Sequence, residues 1–382
     1  MTIKICHMTS AHDSHDTRIF QKECVTLAKE KDFNVYLVAK GESRHEKNVN
    51  IIGIGESPKS RIKRMLIFSK SIYEKALKVD ADIYHFHDPE LLIYARKLKK
   101  LGKIVIFDSH EDVREQIKIK EYIPLFFRLI ISKLYNLYET KVVNSIDAVI
   151  YPCAENGVTP FDNCKCMISK INNFPIMSMF TSKEGVDKVY DICCAGSLTE
   201  ERGIVELLEA SKLANAKLVL AGGNFSEELY GKLNEKKLLD GVICKGNCTL
   251  EEIKQLLNQS KMVVSNIHNI GQYVTADNLP TKVYEAMSMS LPVILSNTQY
   301  NVDLMNKYKF GVCVDPVNVN SITKYIMLFM NDEELAKELG SNGRTLIEKH
   351  FSWENDAVKL LDLYRNLEAN YSNNTINTIE NN

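Results

Sequence analysis

Short apolar runs alternate with longer segments of helical period through the first half of the chain. Ile3–Met8, Asn34–Ala39, Asn50–Ile54, Ile83–His87, Lys103–Asp108 and Ala148–Tyr151 are each brief and rich in β-branched, aromatic or aliphatic side chains, which predicts strands. Between them, Arg18–Lys29 and Pro89–Leu101 repeat apolar positions at the spacing of amphipathic helices. Strand then helix, repeated, predicts an α/β chain with parallel sheet covered on both faces. The period lapses over Asn172–Asp187 and resumes with strands expected at Tyr190–Ala195, Lys217–Ala221, Gly241–Lys245, Met262–Ser265, Pro292–Ser296 and Gly311–Val314. Two Rossmann-like parallel-sheet domains facing a central cleft are therefore expected, over residues 1–174 and 175–351. A helix at about 352–367 would complete the first domain, and 368–382, rich in Asn and Thr, reads as a disordered tail.

The chain's 382 residues suffice for two cores. A composition of 45% hydrophobic and 25% charged residues is that of a soluble globular protein. No apolar run reaches membrane-spanning length and the start, MTIKICHMTS, reads as a first strand, so a cytoplasmic protein is expected. Its ten cysteines include no repeated CxxC pair, and no paired histidines of the zinc-site type accompany them. The nearest approach to a metal set, Cys153, Cys164 and Cys166, lacks a nearby histidine, and no metal is expected. The net charge of −1 hides an asymmetry: residues 1–174 hold 28 Lys+Arg against 22 Asp+Glu, and the remainder 20 against 27. The first half is thus the one suited to an anionic surface or acceptor, and no nucleic-acid partner is expected.

Ligands of open parallel sheets bind beyond the carboxyl ends of the strands, so the loops there carry the chemistry. The first, Thr9–Arg18, contains no glycine and cannot be a GxGxxG dinucleotide fingerprint. It gathers His12, Asp13, His15, Asp16 and Arg18 instead, with helix capping by Asp16 or Thr17 as the plain structural alternative. Neighbouring strand ends carry His85-Phe86-His87-Asp88-Pro89-Glu90 and Asp108-Ser109-His110-Glu111-Asp112, donors and acceptors suited to sugar hydroxyls. His85 sits within its strand and reads as a packing histidine; His110 stands at the loop mouth. Asp80-Ala81-Asp82 has the form of a metal-binding DxD but precedes its strand, on the edge opposite the expected site.

In the second half, Gly196, Ser197 and Arg202 lie in Ala195–Gly203, where a flexible backbone, a helix start and a guanidinium suit a diphosphate. Downstream, Asp277-Asn278-Leu279-Pro280-Thr281-Lys282-Val283-Tyr284-Glu285 places one carboxylate in a loop and another a turn into a helix, able to meet opposite ends of a nucleotide-sugar.

These stretches resemble the family 4 glycosyltransferases, retaining enzymes of the GT-B fold also grouped as glycosyl transferases group 1, from Ile3 to about Leu367. HxHDPE at His85–Glu90, DSHE at Asp108–Glu111, AGSLTEERG at Ala195–Gly203 and DNLPTKVYEAMSMSLPVI at Asp277–Ile294 carry the likeness. The resemblance implies that Glu285 accepts hydrogen bonds from the donor ribose, that Asp277 contacts the transferred sugar, that Arg202 neutralises the diphosphate, and that His110 meets the donor sugar near the bond being broken. Gly196, Ser197, Asn278, Leu279, Pro280 and Lys282 would complete the donor site, while His15, Asp16, Arg18, His87, Asp88 and Glu111 would lie on the acceptor side. Four departures stand out: Ser197 where many relatives carry arginine, Asp277 in place of glutamate, Ser290 in place of glycine before Leu291-Pro292, and a first loop without a glycine pair.

The expected function is retaining transfer of a hexosyl or N-acetylhexosaminyl group from a nucleotide-diphosphate-sugar to a glycan or lipid-linked acceptor in surface polysaccharide or glycoconjugate assembly, without metal or cofactor. Noncatalytic nucleotide-sugar binding and nucleotide-sugar epimerisation stay open. The stretch 117–143 mixes apolar and aromatic residues with Lys118, Lys120, Arg128, Lys133 and Lys141. It reads either as a helix packed on the sheet or as a contact with an anionic membrane on the inner face of the cell membrane.

Overall fold

The computed structural model describes residues 2–110, 112–120, 123–152, 159–182 and 185–380, with side chains beyond Asn370 left undescribed. Glu111 and Cys153 therefore lie outside the described residues. The chain forms two compact units, Met1–Asn173 with Asp356–Asn382, and Phe174–Asn355.

In the first unit the strands are β1 Ile3–Asp13, β2 Phe33–Lys40, β3 Arg44–Glu46, β4 Val49–Gly53, β5 Ile83–Phe86, β6 Ile104–Asp108, β7 Ala148–Tyr151 and β8 Met167–Lys170. They form one sheet in the order β3-β4-β2-β1-β5-β6-β7-β8, parallel throughout except for the short β3, which pairs antiparallel with β4. Every residue of β5 and β6 is buried, as a strand covered on both faces requires. That double burial explains why these segments read as continuous apolar runs rather than alternating ones.

The second unit holds β9 Tyr190–Ala195, β10 Leu218–Ala221, β11 Ile243–Cys244, β12 Ser260–Ser265, β13 Val293–Ser296 and β14 Gly311–Val314. Their order is β11-β10-β9-β12-β13-β14, the doubly wound arrangement in which the first strand of the unit stands at the centre. In both sheets the order of connection reverses beside that central strand, at β1/β5 in the first and at β9/β12 in the second, although the paired strands stay parallel. The loops leaving those pairs are where the two units hold their polar side chains.

Three differences from the sequence reading have physical causes. The first strand runs on to Asp13 because its pairing with β2 resumes, after a register shift beyond Met8, at Asp13 and Lys40. The expected helix Arg18–Lys29 opens as a wide turn of π type over Thr17–Cys24 and ends at Leu27. The last helix spans Trp353–Glu380; the polar stretch read as a disordered tail contains neither Pro nor Gly to stop it.

At the two ends of the DxD, Asp80 pairs with Lys103 at 2.7 Å and Asp82 accepts the Lys4 backbone N–H at 2.9 Å. Both aspartates serve the edge where strands begin, away from the switch-point loops.

Ser290, the residue that replaces glycine, sits at φ +58°, a left-handed conformation that costs a side chain about 1–2 kcal/mol. Beneath it, a Cβ at Gly340 would come within 2.0 Å of the Ser290 carbonyl oxygen. Ser290→Gly is expected to raise unfolding stability by up to about 1 kcal/mol. Gly340→Ala is expected to lower it by about 1–3 kcal/mol, both read from urea unfolding midpoints.

Candidate functional site

In the first unit the site grows from the parallel register of β1 and β5, which pairs His7 with His85. Because side chains alternate along a strand, His85 and His87 point to the same side of the sheet. His7 lies 3.0 Å from His87 through Nδ1 and Nε2, and their rings stack. His85 is indeed fully buried, but it is no apolar packing residue: its Nδ1 lies 2.7 Å from the Tyr364 hydroxyl.

Asp88, just past β5, fixes the loop after β1. Its Oδ2 accepts from Thr9 Oγ1 at 2.8 Å, from the Ser10 backbone N–H at 2.6 Å and from that of Ala11 at 3.3 Å. With a residue exposure of 2%, Asp88 is a positioning residue rather than the surface acceptor contact expected from sequence.

Arg18 departs further from expectation. Its guanidinium is buried and grips Asp108 in two bonds, Nε at 2.8 Å and Nη2 at 2.9 Å, while Nη2 also donates to the Ile171 carbonyl at 3.2 Å. That fork is occupied inside the protein, so Arg18 does not reach outward to an acceptor. Asp16 caps the turn that follows, accepting from the Arg18 and Ile19 N–H groups at 2.8 and 2.9 Å, as the plain alternative for this residue held. His15 is exposed and contacts Arg44 at 3.0 Å.

Asp108 also organises the histidines. It lies 3.3 Å from His87 Nδ1 and 3.0 Å from His110 Nε2, and His110 Nε2 lies 3.2 Å from His87 Nδ1. Burial works against charge on Asp108, but Arg18 and His110 outweigh it and hold its carboxyl well below the usual range. Burial pushes His87 down to about 4, and His7 and His85 well below their ordinary value. Glu23, buried and facing the ionised Asp108, is pushed up. His110, with 18% of its side chain exposed, keeps Nδ1 as the nitrogen that can meet a ligand. The sequence reading missed Glu23 and Tyr364, and named Asp108 only as part of a strand-end stretch, not as the group that aims His87 and His110; the i, i+2 spacing of His85 and His87 was the available signal that a polar column crosses the sheet.

The second unit builds with backbone. Gly196 follows β9 at φ +110°, with open space where a Cβ would stand. A Cβ at Gly222, after β10, would meet the Gly196 carbonyl oxygen at 1.9 Å, so these two loops touch main chain to main chain. Ser197 is exposed, and Arg202 stands with its guanidinium carbon 5.9 Å from the centre of the Tyr273 ring. The helix Ile204–Leu213 begins at Gly203 without a side-chain cap, which leaves its leading N–H groups suited to an anion. Asn266, after β12 and unmentioned in the sequence reading, donates to the carbonyls of Gly203 at 2.9 Å and Pro316 at 3.3 Å. His268 N–H donates to the Glu201 carbonyl at 2.9 Å. The loops on either side of the β9/β12 switch point are thereby stitched together.

Asp277 and Asn278 precede the helix Thr281–Ser288, with Pro280 at its cap position. Tyr284 secures their loop: its hydroxyl donates to Asn278 Oδ1 at 2.7 Å and accepts from the Leu279 N–H at 3.1 Å. Leu279 is buried, whereas Asp277, Lys282 and Glu285 are half-buried, the last two on one side of the helix.

Residues 23–155 match the family model described as Glycosyltransferase Family 4, and residues 179–346 that of the glycosyl transferases group 1. The chain belongs to the family 4 glycosyltransferases. Among relatives of this chain, a poly(ribitol-phosphate) alpha-N-acetylglucosaminyltransferase of Staphylococcus aureus is 27% identical over 143 residues, 37% of this chain and 27% of that one. The chain spans less than half the length of the curated relatives it matches. Among solved structures, a sucrose-phosphate synthase from Thermosynechococcus elongatus is similar with a TM-score of 0.74 and 17% identity over 96% of this chain and 99% of that one. Anabaena HepE in complex with UDP-glucose is similar with a TM-score of 0.67 and 13% identity over 95% of this chain and 100% of that one. These likenesses establish the GT-B fold for this family member.

Burial raises the Asp16 carboxyl, but the His12 contact and the Ile19 N–H outweigh it and bring it down to about 2. A carboxyl depressed in the folded state adds stability above its unfolded pKa and loses it as pH falls toward the folded one. Between about pH 4 and pH 2 the protein is expected to lose about 2 kcal/mol through this group. Urea unfolding across that window should show Asp16→Asn losing correspondingly less than the unsubstituted protein.

Proposed function

We propose that the protein is a retaining glycosyltransferase that moves a hexosyl or N-acetylhexosaminyl group from a nucleotide-diphosphate-sugar to a glycan or lipid-linked acceptor. The observation that carries this reading is the second unit's switch-point loop: an open Gly196 backbone, an uncapped helix start at Gly203, and Arg202 beside them. Together they offer fixed N–H dipoles and a guanidinium to a diphosphate, whose departure develops the charge that must be stabilised. The Asp277 and Glu285 carboxylates on the neighbouring element suit sugar and ribose hydroxyls. HepE, similar in fold, is described in complex with UDP-glucose, and the Staphylococcus aureus relative is named for transfer to a poly(ribitol-phosphate); both support this substrate class.

In this reading transfer proceeds on the front face, with the leaving diphosphate helping to take the acceptor proton and no protein nucleophile. His110, whose Nε2–H is held by Asp108, accepts a hydrogen bond from a sugar hydroxyl at Nδ1. Surface polysaccharide or glycoconjugate assembly is the expected setting.

A membrane-borne acceptor draws support from the helix Leu125–Val143. Leu125 and Phe126 are 76% and 78% exposed, and Leu129, Leu134 and Leu137 are each more than half exposed. Lys133 and Lys141 are exposed on the same helix. Of the two readings of this segment, the interfacial one is favoured, since a helix packed into a core does not leave its leucines in water. No helix among the described residues is long and apolar enough to cross a membrane.

Glu285→Ala and Arg202→Ala are each expected to lower kcat/KM by about 100-fold or more, measured with a donor identified by thermal-shift screening of nucleotide-sugars. The product anomer, read by NMR, should match that of the donor; an inverted product rejects the front-face mechanism. Donor binding without transfer or hydrolysis would instead mark a noncatalytic binder, and isomerised donor formed without acceptor an epimerase.

Flotation with vesicles containing anionic lipid should carry the protein upward, and Leu129→Glu with Leu134→Glu should abolish this. Failure of the unsubstituted protein to float removes the membrane reading.

A further inference from the structure

Beneath the loop chemistry lies a set of side chains that the proposed transfer does not use. Glu23 Oε2 stands 3.9 Å from each of three imidazole nitrogens: His7 Nδ1, His85 Nε2 and His87 Nε2. All four residues are at most 2% exposed. Both Glu23 oxygens and His85 Nε2 lack any hydrogen-bond partner. Arg18 Nε lies 3.2 Å from Glu23 Oε1, but its hydrogen is directed to Asp108 at 2.8 Å. A buried carboxylate whose two oxygens meet no hydrogen-bond donor is expensive, and beside it, in addition to the Arg18 guanidinium, stand the lone-pair-bearing imidazole nitrogens of His7, His85 and His87.

We propose that His7, Glu23, His85 and His87 form a closed, structural binding site for one divalent zinc ion inside the first unit. Three imidazoles and one carboxylate are a zinc-type donor set, and four protein ligands leave no open position for substrate or water. Tetrahedral zinc with bonds of about 2.0–2.1 Å sets its ligand atoms about 3.3 Å apart. Here His7 Nδ1 and His87 Nε2 are 3.0 Å apart, and Glu23 Oε2 is 3.9 Å from each of the three imidazole nitrogens. The four donor atoms all lie within 4.8 Å of one another, so the site forms when their side chains draw in around a common centre.

The outward nitrogens strengthen the assignment. Metal-bound histidines hold their second nitrogen against a carboxylate or another fixed polar group, which sets the tautomer. His87 Nδ1 lies 3.3 Å from Asp108 Oδ2, His85 Nδ1 2.7 Å from the Tyr364 hydroxyl, and His7 Nε2 3.2 Å from that same hydroxyl. Each ring is thus anchored from behind with its other nitrogen turned to the centre. The ion would clamp β1, the end of β5 and the turn Thr17–Cys24 through ligands that no single stretch of sequence brings together. The alternative is a metal-free network in which His7 and His87 share a proton.

Elemental analysis of the full chain, purified without an affinity histidine tag and dialysed against a mild chelator, should return about one zinc per chain. Refolding from denaturant should restore a high melting temperature with zinc present and a lower one in chelator. Cobalt(II) in place of zinc should give the visible absorption of a four-coordinate site. Glu23→Gln and His85→Gln should each lose the metal, while Asp13→Asn, outside the set, should retain it. Native protein holding only a small fraction of an equivalent, with a melting temperature that neither zinc nor chelator moves, overturns the proposal in favour of the shared proton. Full metal content in folded Glu23→Gln and His85→Gln overturns the ligand assignment. Because metal content and melting are read without substrate, failure here leaves the transferase reading intact, and failure of that reading leaves the metal site standing.

Discussion

Arg18 and Asp108 meet inside the first unit as a two-bond ion pair, with side chains 5% and 0% exposed, and the surrounding loops take their places from it. Drawing both charges out of water is costly, but leaving either alone costs more, by about 3–5 kcal/mol when a partner is removed. The pair is therefore a constraint more than a source of net stability. Arg18 begins in the turn after β1, Asp108 ends β6, and the same guanidinium reaches the Ile171 carbonyl after β8, so three separated segments must assemble before either charge is satisfied. Asp108 then passes that order on to His87 and His110.

The second unit meets the same need, fixing loops at a switch point, by other means. Close backbone approach at Gly196 and Gly222 and the Asn266 bridge to the Gly203 and Pro316 carbonyls do there what buried charge does in the first unit. The contrast follows from the ligands proposed for each. A diphosphate is recognised by main-chain N–H groups and one guanidinium, which requires small residues and little else. Sugar hydroxyls call for side chains of both hydrogen-bonding senses, and such side chains must be aimed by others behind them.

Much of this architecture was legible in the sequence because doubly covered parallel strands must be short and apolar. β7, β9 and β14 fall where their composition predicts them. β3 and β8, polar and marginal, carry too little apolar signal and went unread. At the site, the limits were of another kind. Asp16 sits one residue before a helical period, and its capping role was visible in that position. Nothing in the local sequence shows that Arg18 turns inward, because its partner lies ninety residues away on a strand whose place in the sheet fixes the contact. Glu23 was equally hidden: on a helical wheel it reads as an ordinary charge, and only the wide turn over Thr17–Cys24 brings it beneath the sheet's histidines. The placement of Asp277 and Glu285 already suggested groups for the two ends of a nucleotide-sugar, while the ribose role of Glu285 and the donor-side role of Lys282 came from resemblance.

The polar groups of the first unit are thus arranged in depth, and depth separates their duties. Outermost are His110 and His12, with 18% and 34% of their side chains exposed, the groups from this cluster that a ligand can touch. Behind them Asp88 and Asp108 fix loop and ring, and deeper still His7, His85 and Glu23 are wholly enclosed. A set of imidazoles and carboxylates with no access to solvent cannot be explained by contact with an acceptor, however well its residue types suit sugar hydroxyls. Their burial raises the cost of every unmet lone pair, which is why the innermost layer is assigned to an ion held inside the fold or, failing that, to a proton shared among its own rings. The outer layer alone is free to answer to substrate.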